Sequence, residues 1–179
     1  MSPSGARDLR LAGAPAYRAA MQNRTAAVRA ARGADLEALV AGNLALAAES
    51  EGVQLDPDTL RLGIHALLDS RAPGRYWVAE IEGQVVGQLL ITFEWSDWRN
   101  RMVWWVQSVY VVPHARGCGI FRTLYQAIRA EAVAAGAGGL RLYVDTTNMA
   151  AMAVYKAIGM RGDHYQVFED MFAEPPGRG

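Results

Sequence analysis

Residues 104–122, WWVQSVYVVPHARGCGIFR, decide the fold, because a strand, a turn and the start of a helix follow one another there. The apolar, β-branched run 106–112 predicts a buried strand that ends at Pro113. Apolar residues at helical spacing begin at Ile120. A strand that passes through a glycine-containing turn into a helix predicts a ligand site at that turn.

The turn itself has the properties of an anion site. Backbone N–H groups at a helix N-terminus lack intrahelical partners and carry partial positive charge. Gly117 and Gly119 lack Cβ atoms, so a phosphate can approach the backbone closely. Arg116 and Arg122 add full charges. The pattern favours a diphosphate ligand, although an ordinary strand–helix connection with two glycines explains the same residues.

Two well-known phosphate loops do not fit this turn. The dinucleotide fingerprint needs a third glycine, and a P-loop needs Gly-Lys-Ser/Thr. The turn resembles instead the acetyl-CoA signature of the GNAT superfamily of N-acetyltransferases, Q/R-x-x-G-x-G/A. Here the signature reads Arg116-Gly117-Cys118-Gly119-Ile120-Phe121. Phe121 departs from it, because the family prefers glycine or alanine there.

A second motif supports the same resemblance. The family ends on N-x-x-A-x-x-x-Y-x-x-x-G-[FM], and this chain has Asn148, Ala151, Tyr155, Gly159 and Met160 at those positions. The resemblance covers roughly residues 24–168. It implies an α/β (α+β) fold with a mixed, mostly antiparallel central sheet flanked by helices, in the order β-α-α-β-β-β-α-β-α-β.

Hydrophobic periodicity and punctuating residues predict elements in that order. Asp35 and Asp56-Pro57 are expected to start the first two helices. Strands are predicted at 25–31, 76–81, 84–93, 104–112, 140–144 and 160–168, and later helices at 120–136 and 149–158. We expect a flexible N-terminal extension over 1–23, a single domain over 24–172 and a frayed tail over 173–179.

Composition narrows the function classes. The chain has 18 basic and 18 acidic residues, so its formal net charge of zero does not favour nucleic-acid or membrane binding. The single cysteine, Cys118, excludes an internal disulfide and fits a reducing compartment, so a cytoplasmic protein is expected. The three histidines lack metal-ligand spacing, and no metal is expected.

The resemblance implies that acetyl-CoA is the co-substrate. The signature residues and Arg122 would hold its pyrophosphate. The strand residues Val109, Tyr110 and Val111 would pair with the pantetheine arm, and a backbone N–H there would polarise the thioester carbonyl. A plain central strand is the alternative explanation for those three residues.

Two residues of the second motif have implied roles. Tyr155 would donate a proton to the departing CoA thiolate, since a phenol with a pKa of roughly 10 is protonated at neutral pH. Asn148, two helical turns before it, would bond the pantetheine amide. The alternatives are a core tyrosine and a helix-capping asparagine.

The general base is open. Many relatives carry glutamate near the position of Gln107, and a glutamine cannot accept a proton. A water relay or another carboxylate, Glu94, Asp97, Glu49 or Asp145, would have to serve. In the segment EWSDW, Glu94 and Asp97 lie beside Trp95 and Trp98 and could receive a cationic amine by charge and cation–π contact. An aromatic hairpin end explains the same segment.

The expectation is therefore a single-domain enzyme that moves an acetyl group to a primary amine, with Tyr155 as general acid. A small-molecule acceptor is favoured because no extended charged docking surface is evident. A protein acceptor, a longer acyl group or a CoA-binding sensor without turnover are alternatives. A homodimer is compatible with the sequence.

Overall fold

The computed structural model describes residues 25–162 and 165–172. They form one five-stranded sheet with strands in sequence order and helices on both faces. The strands are β1 (Ala27–Ala30), β2 (Gly74–Ile81), β3 (Gln84–Ser96), β4 (Arg101–Val111) and β5 (Gly139–Leu142). The helices are α1 (Leu36–Ser50), α2 (Pro57–Leu68), α3 (Ile120–Ala134) and α4 (Met149–Ala157). Short 3₁₀ turns, Gly33–Asp35 and Pro113–Ala115, precede α1 and follow β4.

The sheet is antiparallel from β1 to β4, and only the β4–β5 pair is parallel. The β2–β3 hairpin turns at Glu82 and Gly83, whose φ angles are +50° and +76°. Positive φ at both turn residues matches the right-handed twist of a two-residue hairpin. The predicted mixed, mostly antiparallel sheet flanked by helices is confirmed.

Alternating side chains give the sheet two buried faces. One face packs on α3, and its buried residues include Leu89, Ile91, Trp104, Val106, Ile120, Leu124 and Ile128. The other packs on α1 and α2 through Leu39, Val40, Ile64, Tyr76 and Val78. On this second face α2 lies against β2, and α1 lies against parts of β3 and β4. The rest of the same face of β3, β4 and β5, on the side away from α3, is left partly uncovered.

The helix starts follow the sequence closely. Asp56 accepts a hydrogen bond from the Thr59 amide at 2.7 Å, and Pro57 is the first residue of α2, as predicted. Asp35 directly precedes α1, but its carboxylate does not cap that helix. It accepts from both terminal nitrogens of Arg29 at 2.7 and 2.9 Å and from the Arg32 amide at 2.8 Å.

One predicted strand is not formed by the part of the chain that the structure describes. The described residues of 160–168 form no strand, so that prediction was wrong. A strand forms by pairing with a neighbouring strand, and none of the five strands of the described sheet pairs with this segment, where Phe168 is 90% exposed. The segments 1–23 and 173–179, predicted as extension and tail, lie outside the described residues.

Candidate active site

The two parallel strands, β4 and the edge strand β5, pair over only part of the length of β4. Their last paired residues are Val106 and Leu142, where β5 ends while β4 continues to Val111. Beyond that pair, no strand of the described chain lies beside Val109, Tyr110 and Val111 on this side. Their outward backbone groups therefore border an open cleft in which an extended ligand could add as a strand.

A β-bulge shapes this part of β4. Pairing with β3 shifts from Leu90–Gln107 to Gln88–Tyr110, so two residues of β4 oppose one of β3. Ser108, in the bulge, has φ of +48°, a left-handed conformation that non-glycine residues adopt at a cost. Bulges next to active sites re-aim side chains. The sequence offered no local signal for this one.

The glycine turn lies at the end of β4. Gly117 and Gly119 have φ of +77° and +79°, and Gly119 immediately precedes α3. A Cβ built on Gly119 would meet no atom within 4 Å, so the space outside the turn is open. The backbone angle requires glycine, and the open space exposes the first amides of α3, those of Ile120, Phe121 and Arg122.

Charge around the turn favours an anion. The first turn of α3 holds no acidic residue. Within the described chain, Arg122 makes no hydrogen bond or ion pair. A cation at a helix N-terminus opposes the helix dipole, so Arg122 is better placed with an anionic ligand than without one.

Arg116 points towards α1 instead. Its Nε donates to the Val111 carbonyl at 2.8 Å, its Nη2 donates to Glu49 Oε2 at 2.5 Å, and its guanidinium lies 5.4 Å from the centre of the Tyr110 ring. The Tyr110 hydroxyl donates to Glu49 Oε1 at 3.0 Å. Arg116 holds the pKa of Glu49 below its ordinary value, and burial, aided by Glu49, raises the pKa of Tyr110.

Tyr155 lies on α4 with its ring against Phe121. The ring centres are 5.5 Å apart at 65°, an edge-to-face arrangement. Burial raises the pKa of the Tyr155 phenol, so it is protonated at neutral pH. The hydroxyl makes no hydrogen bond within the described residues. The bulky residue at the divergent signature position therefore packs on the predicted acid.

Asn148 immediately precedes α4. Its Oδ1 accepts from the Ala151 amide at 3.0 Å, which caps the helix. Helix capping is the alternative role that the sequence analysis gave for Asn148. The Nδ2 group of Asn148 is still able to donate a hydrogen bond to a ligand.

A polar and aromatic cluster occupies the uncovered sheet face beside the cleft. The Trp105 indole donates to Glu94 Oε2 at 2.7 Å, and Arg141 donates to Glu94 Oε1 at 2.8 Å. The ring of Tyr143 lies 4.5 Å from that of Trp105. Sequence analysis missed Trp105, Arg141 and Tyr143, although strand alternation places all three opposite the α3 face.

Gln107 belongs to the same face, where its Nε2 donates to Thr92 Oγ1 at 2.7 Å. Trp95 neighbours Glu94 on β3, so it points to the opposite face. Asp97 and Trp98 lie in the β3–β4 turn, where Asp97 accepts from the Trp98 amide at 2.8 Å and Trp98 is 90% exposed. The structure thus places Glu94 on the same face as Gln107 and does not bring Glu94, Trp95, Asp97 and Trp98 around one site.

Cys118 is half-buried in the glycine turn, with its thiol 3.8 Å from the Arg116 carbonyl. Among the described residues, no group of three or more His, Cys, Asp or Glu side chains could hold a metal ion. No helix in the described ranges is both long and apolar enough to span a membrane.

Comparison with known proteins identifies the family to which this chain belongs. The model of the acetyltransferase (GNAT) family matches residues 43–160. A "possible acetyltransferase" from Clostridium difficile 630 is 38% identical, with a TM-score of 0.77 over 83% of this chain and 99% of its own. A "predicted acetyltransferase" from Clostridium acetobutylicum, solved with acetyl-CoA, is 19% identical, with a TM-score of 0.67 over 82% and 96%, and supports the fold alone.

Among curated proteins, the thialysine N-epsilon-acetyltransferase of Bos taurus is 37% identical over 75 residues. Those residues are 42% of this chain and 44% of that relative, so the match spans less than half of its length. The family model, by contrast, matches the chain from within α1 to the end of the second motif, a range that includes β2 to β5. The chain belongs to the acetyltransferase (GNAT) family.

Proposed function

We propose that this protein transfers an acetyl group from acetyl-CoA to the primary amine of a small molecule. The observation that carries the proposal is the open cleft beside Val109–Val111, which leads directly to the exposed helix N-terminus at Gly119. An extended pantetheine arm fits the first, and a diphosphate fits the second. The resemblance to amine acetyltransferases supports the same chemistry.

In the proposed reaction, the neutral amine attacks the thioester carbonyl and the C–S bond breaks. A backbone N–H of Val109–Val111 stabilises the developing oxyanion. Tyr155 gives its proton to the leaving thiolate, and its raised pKa keeps that proton available at neutral pH. The proton lost by the amine balances the one that Tyr155 supplies.

The proton from the amine leaves through water in this mechanism. Gln107 has no basic group, and its amide is bonded to Thr92. Both oxygens of Glu94 already accept hydrogen bonds from Trp105 and Arg141, so Glu94 and the distant Asp97 are poor bases. A water chain on the Gln107 face can serve, since an amine need lose only one proton.

The test is an acceptor screen by mass spectrometry with acetyl-CoA and a panel of diamines, amino acids, aminoglycosides and peptides. An acceptor that gains one acetyl group, with stoichiometric release of free CoA, supports the proposal. Gly119→Val is the matched negative control, because a β-branched residue is strained at this positive φ. CoA binding without transfer to any acceptor would favour a sensor, the alternative that Gln107 motivates.

A further inference from the structure

Arg141 and Glu94 form an ion pair on the uncovered sheet face, beside the cleft. Each is partly exposed, with 34% and 43% of its side chain accessible to solvent. Arg141 uses one of its five N–H donors on Glu94, and its guanidinium lies 5.7 Å from the Trp105 ring centre and 5.8 Å from that of Tyr165. A cationic donor, Arg141, and an anionic acceptor, Glu94, are therefore both accessible to a ligand.

Among the residues that the structure describes on this face, one positive and one negative charge balance. Arg141 presents a cation, and Glu94 presents an anion held by the Trp105 indole. The other groups, Thr92, Gln107 and Tyr143, are uncharged. A ligand head that carries both a carboxylate and an ammonium can pair with both, whereas a head with only positive charge meets Arg141 as a like charge.

The pair also lies at a defined distance from the start of the cleft at Gln107. Trp105, which is opposite Arg141 in the sheet register, is two residues before Gln107, where β4 and β5 have separated. Two strand residues span about 7 Å. A flexible stem of three or four methylene groups can bridge that distance, and Trp105 and Tyr143 offer an aromatic surface for it.

From this arrangement we infer that the acceptor is a diamino acid. Its side-chain amine reacts at the cleft, and its α-carboxylate and α-ammonium bind Arg141 and Glu94. The inference rests on the proposed function and names the substrate class of the same site. Simple polyamines, which have the stem and the amine but no carboxylate, are the class that this face disfavours.

The test compares L-lysine with cadaverine, which differs from it only by the missing carboxylate. Wild-type kcat/KM for lysine should exceed that for cadaverine by about tenfold or more, the scale of one charge-assisted hydrogen bond. Arg141→Gln should remove most of that preference by acting on lysine. Arg129→Gln, on the exposed surface of α3, is the matched control and should leave the preference intact.

Binding to the CoA-loaded protein, followed by calorimetry, gives a second measurement that does not need turnover. Lysine should bind more tightly than cadaverine, and Arg141→Gln should reduce that difference. Equal kcat/KM for the two amines, or a lysine preference that survives in Arg141→Gln, would overturn the inference while leaving acetyl transfer intact. Acetylation of other amines alone would also overturn it. Absence of transfer to every amine would instead contradict the proposed function.

Discussion

The guanidinium of Arg116 lies 2.5 Å from the Glu49 carboxylate, and this contact ties the glycine turn to the C-terminal end of α1. The two residues are 67 positions apart. Arg116 is the signature residue expected to bind a diphosphate, yet in this structure it donates a hydrogen bond to the Glu49 carboxylate. The ligand and Glu49 would therefore compete for one cation.

Removing the negative charge of Glu49, which competes with CoA for Arg116, should tighten CoA binding. Glu49→Gln keeps the shape of the side chain but removes its charge, so we expect CoA affinity to rise about two- to fivefold, the scale of an exposed ion pair. The gain should be larger at low salt. Because Arg116 lowers the pKa of Glu49, the carboxylate stays ionised near neutrality, and the effect should not vary between about pH 6 and 8.

CoA affinity can be measured by titration calorimetry, with two control variants. Glu37→Gln changes a carboxylate at the other end of α1, bonded to Arg61, and should have no effect on CoA. In an Arg116→Ala background, Glu49→Gln should also lose its effect. Weaker binding in Glu49→Gln would mean that Glu49 orients Arg116 for the ligand and does not compete with it.

Phe121 is expected to hold Tyr155 in place, because their rings meet edge to face at 5.5 Å. Phe121→Ala should lower kcat by up to about tenfold, the scale of an aromatic pair, while changing the KM for acetyl-CoA little. In a Tyr155→Phe background the same change should have almost no effect on kcat, since no hydroxyl remains to be positioned. Additive losses in the double variant would argue against this coupling.

Asp35 is expected to be a main determinant of stability. It is bonded to Arg29 and to the Arg32 amide, and its side chain is 7% exposed. Asp35→Asn should lower the free energy of unfolding by about 2–3 kcal/mol at pH 7, measured by urea denaturation. Asp58→Asn, which removes an exposed partner of Arg61, should leave it unchanged within error.

The pH dependence of this effect has a definite sign. The hydrogen bonds from Arg29 lower the pKa of Asp35 below its ordinary value of 3.8, so the folded state favours the ionised form. The stabilisation is complete above that ordinary value and disappears as the pH falls through the lower folded pKa. The difference between wild type and Asp35→Asn should therefore shrink below about pH 4. A difference that stays constant down to pH 2 would contradict this assignment.

Local patterns predicted most of the fold, because strands, caps and the glycine turn are determined by neighbouring residues. Asp56-Pro57 and the glycines at 117 and 119 were such signals. The bulge at Ser108 depends on pairing with β3, and the Arg141–Glu94 and Arg116–Glu49 pairs depend on contacts across the sheet. The strand predicted over 160–168 shows the converse, since an apolar pattern forms no strand without a neighbour to pair with.

The single-turnover rate of acetyl transfer in Tyr155→Phe tests the central claim most directly. The variant keeps the ring that packs on Phe121, so stability and CoA affinity should change little. If the hydroxyl protonates the leaving thiolate, the chemical step should slow by roughly 10²–10⁴-fold. Rapid mixing of the acetyl-CoA complex with excess acceptor isolates that step from product release. A Tyr155→Phe protein with the wild-type rate of acetyl transfer would contradict the account and show that Tyr155 serves packing alone.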